Sequence, residues 1–124
     1  MEKKFRVLTV NGKQYAWWHT HRDGNVTIML SPLNDKNTVI KVEFNIIDYS
    51  VGKLFMEFPA YIIMNKNNQV ERVKTLDPKM AGLLLEYLSE QDKFIVRNIV
   101  TIDGYELLSE MGYHICEIQN GMDW

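Results

Sequence analysis

The chain is poor in the residues that build the easiest functional signatures. It holds one cysteine, Cys116, so no intramolecular disulfide can form. Three prolines and seven glycines, no two glycines adjacent, leave neither a linker-like stretch nor a glycine-rich loop to cradle a phosphate. No run approaches the ~20 apolar residues a membrane span needs. Met1 to Val10 has no apolar h-region and no small-residue cleavage site. Charge of one sign is missing too, since 14 basic residues face 16 acidic ones for a net of -2. Phosphate contacts demand a basic excess, which disfavours nucleic acid as a partner even though Lys3, Lys4 and Arg6 gather near the start. Together these features point to a cytosolic chain in a reducing compartment, with no membrane partner.

What is present is the material of one globular domain. Hydrophobic residues make up 46% of 124 residues, an ordinary content at the commonest domain size. A single domain over residues 1–124 is expected, continuous from about Phe5 to about Ile118. Frequent asparagine, lysine and isoleucine match an AT-rich bacterial or phage genome.

The first third reads as a β-meander. Asn11-Gly12 stands between Phe5–Val10 and Lys13–His21, and Asn-Gly is the strongest short hairpin signal because a type I′ turn needs positive φ at both central residues. A two-residue loop pairs Val10 with Lys13, Leu8 with Tyr15 and Arg6 with Trp17. On the other face Val7 meets Ala16 and Phe5 meets Trp18. Asp23-Gly24 repeats the device, pairing Arg22 with Asn25, His21 with Val26, His19 with Ile28 and Trp17 with Leu30. One face then carries Leu8, Tyr15, Trp17, Val26, Ile28 and Leu30 and should be buried. The other holds Phe5, Val7, Ala16, Trp18 and Met29 among polar residues, and a later helix is expected to cover it.

Residues Ser31 to Asn37 read as a polar loop, and Thr38–Ile46 alternates Ile40, Val42, Phe44 and Ile46 with Val39, Lys41, Glu43 and Asn45, a strand with one side in water. Lys53–Phe58 reads as a further strand. Ala60–Met64 and Gln69–Lys74 form a hairpin across Asn65 to Asn68. The period then changes. Asp77-Pro78 opens a helix, with Met80, Leu83, Leu84, Tyr87 and Leu88 on one stripe to about Gln91. Lys93–Ile102 favours a strand, Asp103 to Glu106 resembles a capping box, and Gly112 is placed to end a short second helix. Tyr113–Ile118 closes the chain as a last strand. The class is α+β: an antiparallel meander of about five to seven strands, one or two C-terminal helices, and a final C-terminal strand.

Two pairs carry the most chemistry, His19/His21 and His114/Cys116. Residues at i and i+2 of a strand point the same way, roughly 6.5–7 Å apart. Two such pairs on neighbouring strands could offer a tetrahedral zinc four ligands. Their spacing is not that of the known CxxC frameworks, and a packed imidazole explains His19 as well. Cys116 reads as a small buried filler rather than a nucleophile. The carboxylates Asp103, Glu106 and Glu110 are explained by capping and solvation.

The aromatic set is more suggestive. Tyr15, Trp17 and Trp18 share one strand, Arg6 sits beside Trp17, and consecutive tryptophans must face opposite sides. Phe5, Arg6, Tyr15, Trp17, Trp18 and Met29 are the candidate binding surface, since exposed apolar patches mark partner sites. The expectation is therefore a non-enzymatic binding or interaction module of an accessory kind, inhibitor- or immunity-type, with a protein partner or a homodimer and no cofactor. A zinc-dependent or zinc-stabilised domain is the alternative. A small-molecule binder holding its ligand between sheet and helix around Tyr15 and Trp17 is the second.

Overall fold

The computed structural model describes residues 5–22, 25–35, 37–45, 61–75, 77–94 and 97–119. Strands β1 (Arg6–Val10), β2 (Lys13–Arg22), β3 (Asn25–Pro32) and β4 (Val39–Asn45) form the meander. Then follow β5 (Tyr61–Lys66), β6 (Gln69–Lys74), α1 (Pro78–Glu90), β7 (Ile99–Asp103), α2 (Gly104–Glu110) and β8 (His114–Gln119). The mixed α+β class is as the sequence suggests.

Turn chemistry fixes the registers. Asn11 and Gly12 both have positive φ, 51° and 79°, the type I′ requirement. Val10 accordingly pairs with Lys13, Leu8 with Tyr15 and Arg6 with Trp17. Across residues 23 and 24, Arg22 pairs with Asn25, His19 with Ile28 and Trp17 with Leu30. The second hairpin departs from expectation in its loop. Lys66 pairs with Gln69, so only Asn67 and Asn68 turn, with φ of 54° and 64°. Asparagine tolerates this left-handed region better than most residues, which lets two of them replace the four-residue loop read from the sequence.

Sheet order departs further. Among the described residues the antiparallel meander has four strands: the first sheet runs β1-β2-β3-β4-β7, and β6-β5-β8 form a separate three-stranded sheet. The place beside β4 is taken by β7, which pairs with it in parallel, Val39 with Ile99 through Glu43 with Asp103. A parallel pair needs a crossover longer than a tight turn, and the β5–β6–α1 segment lies within it. The proposed Lys53–Phe58 strand, Ile46, Ile95 and Val96 lie outside the described residues.

Both helices carry their punctuation. Asp77 caps α1 by accepting from the Lys79 amide at 2.9 Å, and Asp103 caps α2 by accepting from the Tyr105 amide at 2.9 Å. Each ends in a Schellman motif: Lys93 N–H to the Leu88 carbonyl with Asp92 N–H to Ser89, and Tyr113 N–H to Leu108 with Gly112 N–H to Ser109. The residue between is left-handed in both, Asp92 at φ 57° and Gly112 at φ 100°.

The core is one cluster. The inner face of the first sheet (Tyr15, Trp17, Val26, Ile28, Leu30, Ile40, Val42, Phe44) joins Met80, Leu84, Leu85 and Leu88 of α1, Leu107 and Leu108 of α2, and Ile62, Met64 and Val73 of the second sheet. The stripe of α1 therefore covers the Trp17 face and not, as read from the sequence, the Trp18 face. The physical reason is area. Each fully buried leucine contributes about 1.5–3 kcal/mol, and only the inner face is apolar enough to match a five-residue stripe. On the outer face Ala16, Met29 and Val39 are buried but stand outside this cluster. No helix among the described residues is long and apolar enough to cross a membrane.

Candidate interaction surface

The Asn11-Gly12 turn places β1 at the rim of the first sheet, where among the described residues it pairs with β2 alone. Strand alternation then divides its side chains. Leu8 and Val10 point inward and pack against the core, whereas Val7 and Thr9 point outward and are exposed. Phe5, just ahead of the strand, is exposed as well.

The fractions decide which aromatic and aliphatic groups face solvent. Phe5 keeps 51% and Val7 44% of its surface, against 2% for Trp17 and 3% for Tyr15. Val7 stands opposite Ala16, whose methyl is too short to cover it. Trp18 is half-buried and its cross-strand partner Met29 is buried. The candidate set therefore splits. Tyr15 and Trp17 are core, Tyr15 stacking obliquely on Phe94 at 5.3 Å between ring centroids. Met29 offers almost no surface. Phe5, Arg6 and part of Trp18 remain, and Val7, on the expected outer face but not in the candidate set, joins them. Its signal was the edge position itself: among the described residues no strand lies on the other side of β1, and an outward valine there stays wet.

Arg6 is exposed and its guanidinium lies 5.7 Å from the centre of the Trp17 ring, the pairing the register dictates. Beneath it the Trp17 indole N–H is buried with no hydrogen-bond partner among the described residues. Among the described residues no strand pairs with the outer side of β1, and such a row of backbone donors and acceptors beside exposed apolar side chains is the form of edge that pairs with another strand. The other rims are more polar or irregular: β6 leaves Val70 63% exposed but carries Glu71, Arg72 and Lys74, and β8 has a register shift opposite Ile63 and Met64. At the far rim, β7 leaves Ile99 64% exposed but runs directly into α2.

The histidine pairs fall in different sheets, His19 and His21 on β2 and His114 and Cys116 on β8, so no shared rung joins them. His19 is exposed, its ring 6.4 Å from that of Trp17, rather than packed in the core. Cys116 is exposed, not a buried filler: Ile63 pairs with Glu117 and Met64 with Ile115, leaving Cys116 as the extra residue of a bulge, its thiol 3.8 Å from the His114 carbonyl. Among the described residues no three His, Cys, Asp or Glu side chains gather closely enough to hold a metal ion.

The perturbed titratable groups among the described residues are Lys79, Tyr87 and Tyr113. The Glu71 carboxylate, 2.6 Å from Lys79 Nζ, raises the Lys79 pKa, and a 2.7 Å hydrogen bond to Glu110 raises that of Tyr87. Burial, followed by the Glu71 charge, raises Tyr113. These contacts tie α1 to β6 and to α2. Comparison with family models, with curated proteins and with solved structures gives no match.

Proposed function

We propose that this chain is a protein-interaction module whose contact surface is the β1 edge, built from Phe5, Val7 and the exposed part of Trp18, with Arg6 at its border. The observation that carries this reading is the exposure of Phe5 just ahead of β1 and of Val7 on it, β1 being an edge strand among the described residues. Apolar side chains at such a place lose area to water unless a partner covers them, and backbone groups along the same edge can pair with an incoming strand. Approaching from the β1 side, a partner strand would extend the sheet, meeting Val7 and Thr9 with one set of alternate side chains and Leu8 and Val10 with the other. A second copy of the chain is the simplest partner, since an edge of this kind serves both copies of a two-fold dimer. Light scattering of the wild type against Val7→Lys tests it, because a lysine on an edge strand opposes strand addition without entering the core.

A further inference from the structure

No further inference is drawn: the strongest candidate, the buried indole N–H of Trp17 beneath the Arg6 guanidinium at the β1–β2 rim, without a hydrogen-bond partner among the described residues, belongs to the core and is enclosed too tightly for a ligand atom to reach it.

Discussion

Arg6 and Trp17 are cross-strand partners, and the guanidinium of the first lies 5.7 Å from the ring centre of the second. The two contribute very differently. A solvent-exposed cation over an indole gains about 0.5–1 kcal/mol, whereas removing a buried tryptophan costs about 3–5 kcal/mol. Arg6→Ala is expected to lower the unfolding free energy by no more than about 1 kcal/mol, and Trp17→Ala by several times that. Urea unfolding of the two variants measures both. Equal losses would mean that Trp17 is not the core residue its burial indicates.

Gly104 sits where the first turn of α2 crosses Phe44. A Cβ there would overlap the Phe44 ring, which is itself held edge-on by Tyr105 at 5.3 Å. Gly104→Ala would gain helix propensity at an ordinary position, but here overpacking dominates and the expected loss is about 1–3 kcal/mol. A denaturation midpoint equal to that of the wild type would show that α2 can move off β4 without cost.

The two Schellman ends make a matched pair of opposite substitutions. Asp92 is left-handed without being glycine, so Asp92→Gly should stabilise the chain, by up to about 1 kcal/mol. Gly112→Ala should destabilise it by about 1–2 kcal/mol through the backbone alone, because the nearest atom to a Cβ there is the flexible Lys66 Cε at 3.4 Å. Thermal melting of both variants reads the sign. The same sign for both would rule out backbone conformation as the common cause.

Alkaline pH should weaken the fold in a definite window. Tyr87, Tyr113 and Lys79 all have folded-state pKa values raised above their ordinary values of 10.0, 10.0 and 10.5. The folded state thus holds these protons more tightly than the unfolded one. Their contribution is fully present below about pH 10 and is lost as pH rises through the folded values. Tyr87→Phe removes the hydrogen bond to Glu110, so its stability should fall less steeply than that of the wild type above pH 10. Parallel pH profiles would remove Tyr87 from the explanation.

Local chemistry was legible in the sequence wherever one residue type answers one backbone demand. Asn11-Gly12 announced its turn, and with it every rung from Val10–Lys13 to Arg6–Trp17. Asp77-Pro78, Asp103 and Gly112 announced the ends of helices for the same reason. The choice of face for α1 was not legible, because amphipathic periodicity shows that a stripe is buried without showing against what. Nor was the parallel placement of β7, since Ile99 to Asp103 alternates as it would in either direction. The same gap separated the histidine pairs: their spacing was visible, but sheet membership is a long-range property. At the surface, the sequence marked Trp17 and Trp18 as facing opposite ways and put Trp17 inside, where it is 2% exposed. The rim position of β1, legible only from the sheet order, moved the emphasis from tryptophan to Phe5 and Val7.

The most direct measurement is the molar mass of the wild type and of Val7→Lys by light scattering across a wide concentration range, with melting temperatures taken in parallel. The wild type should rise from monomer towards dimer with concentration, and Val7→Lys should stay monomeric with its melting temperature little changed at the monomer limit. A wild type that remains strictly monomeric throughout, with the same mass as Val7→Lys, would contradict the assignment of the β1 edge as a contact surface between copies of this chain.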